Sequence, residues 1–173
     1  MTTRATTGRW QRPGRRAFPA RRRSPGQAHY PWKGKALIYH CTRFKVKPEV
    51  SEEDIAAALA SMREQGAANP NIEFSVVGPD FGGEFQYGAV SGIKDIEAYA
   101  AMMNDPAHLE RDRTGLPMVE KFASFDITDD PDLEIGAKIA EVHRRRFEEQ
   151  PDIAGLVAGI EYTGSAAPGK DNT

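Results

Sequence analysis

The sequence predicts an α+β domain with the order β-α-β-β-α-β: a four-stranded sheet with its helices on one face, followed by a further helix. Three observations lead there. Strand-like stretches rich in apolar residues, several with period-two alternation, lie at residues 35–46, 72–77, 85–93 and 120–128, as expected of strands with one buried face. A helical run falls between the first and second stretches and another between the third and fourth, each opened by a short polar residue suited to capping. The middle two stretches are separated by Gly78, Pro79, Asp80, Gly82 and Gly83, a turn-forming cluster short enough for a hairpin.

Taken in order, the first strand carries Thr42, Phe44 and Val46 on one face and Arg43 and Lys45 on the other, and Pro48 ends it. Ser51 with Asp54 three residues on starts a helix whose Ile55, Leu59 and Met62 share a face, and Gly66 stops it. On the third strand Phe85, Tyr87, Ala89 and Ser91 oppose Gln86, Gly88 and Val90. Asp95 starts a second helix that ends by Asp105 and Pro106, and a further helical turn covers residues 108–113 before Gly115 and Pro117 break it. On the fourth strand Lys121, Ala123, Phe125 and Ile127 oppose Phe122, Ser124 and Asp126. This order is the ferredoxin-like pattern. Helices cover only one face of such a sheet, and a bare apolar face needs cover. A second copy of the chain is the simplest one, so a homodimer with facing sheets, a dimeric α+β barrel, is expected.

A last helix is expected from Asp132 to about Glu149, with Leu133, Ala137, Ala140 and Val142 toward the protein and the arginines 144–146 near its end, where they suit the helix dipole. Residues 153–162 are apolar enough to dock. The expected organisation is a tail at 1–33, the barrel domain at 34–130 and a C-terminal helix and tail at 131–173.

Charge marks the first boundary. Residues 1–33 hold eight arginines, Lys33 and no acid, a net +9, while the rest of the chain is −11. Four prolines and no apolar periodicity predict that this tail is disordered. A basic arm with Trp10, Phe18, Tyr30 and Trp32 among its arginines is a nucleic-acid-binding alternative, but a solvated extension is the expectation, with no nucleic acid partner. No apolar run approaches the roughly 18 residues of a membrane span, and no short apolar core follows the basic tail. Neither a membrane protein nor a conventional secretory precursor is expected, and a cytoplasmic location is. The single cysteine, Cys41, leaves no internal disulfide and no CxxC motif. The histidines His29, His40, His108 and His143 show no metal-ligand spacing, and no phosphate-binding glycine motif is present. No metal and no cofactor are expected.

Phe44-Lys45-Val46-Lys47-Pro48, Val50-Ser51-Glu52-Glu53, Asn104-Asp105-Pro106-Ala107-His108, Val119-Glu120-Lys121 and Phe125-Asp126 together resemble the stress-responsive dimeric α+β barrel (Dabb) family over about residues 36–128. The strongest piece is Asp105-Pro106-Ala107-His108, close to the family's His-Pro-Ala-His. The resemblance implies a ferredoxin-like monomer and a dimeric barrel. It also implies a choice of activities, since the family includes stress-induced plant proteins, a polyketide cyclase of the olivetolic acid type and a hydroxynitrile lyase, and the related antibiotic-biosynthesis monooxygenases work without flavin or metal. His108 aligns with the histidine that acts as general base in the cyclase, and a neutral-range pKa suits that role. His40 stands two residues beyond the family's strand histidine, whose place Ile38 takes, and a shift of two keeps the strand face. Tyr87 falls where the cyclase carries a third pocket histidine. Met102 replaces the cyclase's catalytic tyrosine and offers no hydrogen-bond donor, with Tyr99 one helical turn away as a substitute.

The expectation is therefore a cofactor-independent enzyme of cyclase or lyase type acting on a hydrophobic carbonyl compound. His108, Tyr87, His40 and Tyr99 are the candidate catalytic residues, and Ile38, Phe44, Met102 and Val119 the candidate substrate contacts. A non-catalytic, stress-related or small-ligand-binding dimer and a cofactor-free monooxygenase are the alternatives.

Overall fold

The computed structural model describes residues 36–164; the expectations for the basic tail lie outside them. Strand β1 (Ile38–Val46) is central and pairs antiparallel with β3 (Tyr87–Ile93) on one side and β4 (Val119–Thr128) on the other. β2 (Ile72–Pro79) pairs antiparallel with β3, as the hairpin signal predicted. The four strands expected are joined by a fifth. β5 (Glu161–Gly164) runs parallel to β4 and extends the sheet to the order β2-β3-β1-β4-β5. No alternation announces a four-residue strand, and what holds it is specific to the site. Tyr162 stacks on Phe122 with ring centroids 5.6 Å apart, and Lys121 bridges Glu84 and Glu161. Gly164 (φ +154°) meets Ser124 so closely that a Cβ there would lie 1.9 Å from the carbonyl oxygen, so only glycine fits.

Helix α1 (Glu52–Ala68) begins at Ser51, whose hydroxyl accepts from the Asp54 amide, and α2 (Ile96–Met103) begins at Asp95, whose carboxylate accepts from the Ala98 amide. The expected turn after Asp105 is a full helix, α3 (Pro106–Gly115). Asp105 caps it through the amides of Ala107 and His108, and Pro106 sits in its first turn, where no amide is needed. After β4 come α4 (Ile135–Glu149) and α5 (Pro151–Ala158), so the apolar stretch after Pro151 forms a helix and then β5.

The main core lies between the sheet and the helices: Ile38, Ile93, Tyr99, Met102 and Met103 pack with Ile135 and Ile139 of α4. A second cluster gathers Leu116, Ile153 and Val157 beneath α5. The buried stripe of α4 is Ile135, Ile139, His143 and Arg146, not the expected face, and Leu133 is fully exposed. The spacing 135, 139, 143, 146 is a helical stripe in its own right. Two of its four members are polar, which hid it.

Candidate functional site

Residues of one strand parity converge on the helix-covered face. His40, Thr42 and Phe44 of β1 lie beside Ser91 and Ala89 of β3 and Phe122 and Ser124 of β4. Between them and the helices is a cavity of about 370 Å³, at the small end of the range for small-molecule sites. α1 contributes Leu59 and Met62, α3 His108 and Asp112, and the C-terminal elements His143, Phe147 and Tyr162.

His40 sits on this wall with a carboxylate behind it: Asp126 Oδ1 is 2.9 Å from His40 Nδ1, and the two side chains are 7–11% exposed. β1–β4 pairing places these two residues directly opposite each other. A carboxylate only accepts, so Nδ1 carries the proton and the lone pair lies on Nε2. The Tyr99 hydroxyl is 3.2 Å from the same Nδ1 and 2.8 Å from Nε2 of His143. Tyr99 is wholly buried, and burial together with the nearby charge of Asp126 holds its phenol well above the ordinary range, as a neutral hydrogen-bonding group.

His108 enters from the opposite wall, on the first turn of α3. Its Nε2 is 3.7 Å from Asp112 Oδ2, and that oxygen accepts from Arg146 Nη2 at 2.5 Å. Arg146 also donates through Nε to the Met103 carbonyl at 2.9 Å, which ties α4 to α2 and α3. Burial, and then the charges of Arg111 and Arg146, press the His108 pKa well below that of a free imidazole. His143 is likewise held down, to about 4, by burial first and His40 next.

Of the residues named from sequence, His40, Phe44, Met102, His108 and Val119 line the cavity. Tyr99 lies behind His40 in the hydrogen-bond network. Ile38 is buried in the main core, one β1 step beyond the cavity. Tyr87 shares the face but sits at the far end of β3, half-buried against Phe44 at 5.7 Å between centroids, and does not line the cavity. Cys41, next to His40 on β1, points to the opposite face and is buried. Asp126 and His143 were missed. The signal for Asp126 is the strand pairing itself, and for His143 the four-residue spacing from Ile135 and Ile139. Among the described residues no group of three or more His, Cys, Asp or Glu is placed to hold a metal ion, and no helix is long and apolar enough to cross a membrane.

Residues 38–129 match the stress responsive A/B barrel domain. The chain belongs to this Dabb family. Curated proteins yield no match. Among solved structures, a Dabb family protein with a ferredoxin-like fold from Mesorhizobium loti is 20% identical, with 54% of this chain and 96% of that one covered and a TM-score of 0.50. The hydroxynitrile lyase from Passiflora edulis is 16% identical, with 56% and 96% covered and a TM-score of 0.51. A dimeric ferredoxin-like protein of unknown function from Thermobifida fusca is 18% identical, with 54% and 92% covered and a TM-score of 0.50. These likenesses establish the fold. The family match ends at residue 129, so α4, α5 and β5 of this Dabb chain lie beyond it.

Proposed function

We propose that this Dabb protein is a cofactor-independent acid–base enzyme of lyase or cyclase type acting on a small, largely apolar carbonyl compound. The observation that carries this reading is the His40–Asp126 pair at the cavity wall. The carboxylate fixes the tautomer and orientation of the imidazole and leaves Nε2 to take a proton, the arrangement by which many general bases work. In the proposed step a proton leaves the carbon next to a carbonyl, or the hydroxyl of a cyanohydrin, for His40 Nε2. In the first case the electron pair moves to the carbonyl oxygen as an enolate. In the second it forms the carbonyl and expels cyanide. His108, kept neutral by burial and two arginines, serves as a hydrogen-bonding partner for the substrate rather than the base that its motif suggested, because a depressed pKa weakens a proton acceptor. The hydroxynitrile lyase among the structures of like fold is consistent with such chemistry on this scaffold. The enzyme acts as a homodimer in this reading, with the sheet's outer face as the contact.

The test is a turnover screen over aromatic cyanohydrins and β-polyketones, followed by two variants. His40→Ala should lower kcat by roughly 10²- to 10⁴-fold, the usual worth of a positioned general base, and His108→Ala should cost less. The reverse order would return the base to His108. No turnover of any member of either class would overturn the enzymatic reading.

A further inference from the structure

His143 is 3% exposed and lines the cavity. Its Nε2 is engaged by the Tyr99 hydroxyl at 2.8 Å, while its Nδ1 meets no hydrogen-bonding group among the described residues. A buried imidazole nitrogen left without a partner is costly, and such groups mark places where something else is bound. The direction of the neighbouring bonds sets what it is. Donation of the Tyr99 O–H to His143 Nε2, rather than to the Asp126 carboxylate it also neighbours, is the arrangement the proposal requires. His143 Nε2 is then an acceptor, and the proton of the neutral ring lies on Nδ1. A pKa held down to about 4 keeps the ring neutral at physiological pH. The ring centroids of His143 and His40 are 6.3 Å apart, and both residues line the same cavity.

From this geometry we infer that His143 is a specificity-determining residue: its Nδ1–H holds an acceptor oxygen of a ligand in the cavity, within reach of His40. The subsite is supplied by α4, beyond the stretch that matches the family. It selects ligands that carry a carbonyl or phenolate oxygen on an apolar body, since the nearby walls, Phe147, Met102 and Phe122, are apolar. The inference rests on the reading of the cavity as a carbonyl-substrate site, but its test measures binding and does not depend on turnover.

Two near-isosteric substitutions separate the ring nitrogens. Gln at position 143 places its amide near Nε2 and keeps a partner for Tyr99, and Asn places its amide near Nδ1. The probes are acetophenone and ethylbenzene, which differ by the carbonyl oxygen, titrated into the full chain and followed by NMR. The wild type should bind acetophenone the more tightly, by roughly 3- to 10-fold, the worth of one net hydrogen bond. His143→Gln should abolish that preference and His143→Asn should keep most of it. An imidazole ¹⁵N spectrum should show the His143 proton on Nδ1, with its resonance moving on addition of acetophenone. A structural role exerted through Tyr99 predicts the opposite order of the two variants. That order, the other tautomer, or no ketone preference in the wild type would overturn the inference. If His40→Ala eliminates turnover while the ketone preference is absent, the enzymatic reading stands and this one falls. A ketone preference without turnover leaves the subsite and removes the enzyme.

Discussion

At the scale of single residues, the cavity is organised by which groups stay neutral. His143 and His108 both have folded pKa values below that of a free imidazole, because burial penalises the charged ring. The unfolded chain therefore takes up protons on these rings at pH values where the folded chain does not. Their contribution to stability is complete above the unfolded pKa near 6.5 and is lost as the pH falls through that value toward the folded one. For His143, with a folded pKa of about 4, the loss between pH 7 and pH 4 is about 3 kcal/mol. Urea denaturation at the two pH values should show His143→Gln losing less stability over that interval than the wild type; an equal loss in both proteins would show that His143 is not held neutral. Arg146 sets the state of the other ring. It compensates Asp112, whose Oδ2 is 3.7 Å from His108 Nε2, and its own charge adds to the depression at His108. Arg146→Met removes a positive charge and leaves the carboxylate uncompensated, so the titration midpoint of His108 followed by NMR should move upward. The chain should also lose on the order of 3 kcal/mol or more, the usual consequence of breaking a buried pair. A midpoint that stays in place would separate Arg146 from the site.

At the scale of elements, the capped helices and the hairpin were legible because each rests on local chemistry. Ser51 and Asp95 accept from the amides three residues on, and Asp105 closes the first turn of α3. The His40–Asp126 pair was less legible. The alternation in β1 and in β4 shows which face each residue takes, but the pairing that sets one opposite the other depends on register across 86 residues. The C-terminal elements were the least legible. The buried face of α4 mixes two isoleucines with a histidine and an arginine, and a hydrophobicity pattern alone favours the alanine-rich side. β5 has no pattern of its own and depends on Phe122, Lys121 and the approach of Gly164 to Ser124. Gly164→Ala should therefore detach β5: a side chain cannot occupy the space taken by the Ser124 carbonyl, and the backbone there lies in a region costly to non-glycine residues by roughly 1–3 kcal/mol. Hydrogen exchange should rise along the β4–β5 ladder while the β1–β4 ladder stays protected. Unchanged protection of both ladders would mean that β5 accommodates the extra methyl.

At the scale of the whole molecule, the face opposite the helices remains to be covered. In the observed register Val76, Val90, Cys41 and Phe125 form one apolar row across β2, β3, β1 and β4. Val76 is 64% exposed and Ile127, on the same face, 57%. A row of this kind spanning a sheet marks an interface. β5 occupies the outer edge of β4, so strand addition to β4 is blocked. The proposed occupant is a second copy, set sheet against sheet. Light scattering at micromolar concentration should give twice the chain mass of 19.1 kDa. Val90 and Phe125 are exposed in the single chain, so a charge placed there costs the monomer little while it cannot be buried against a partner without several kcal/mol of desolvation. Phe125→Lys should thus yield a folded monomer with an unchanged circular dichroism spectrum. A wild type that is monomeric, or a Phe125→Lys protein that remains dimeric, would place the contact elsewhere. Because the cavity lies on the helix side of the sheet, with His40 and Cys41 on opposite faces of β1, the monomeric variant should still bind acetophenone. Loss of binding together with the dimer would mean that the partner copy shapes the cavity through β1.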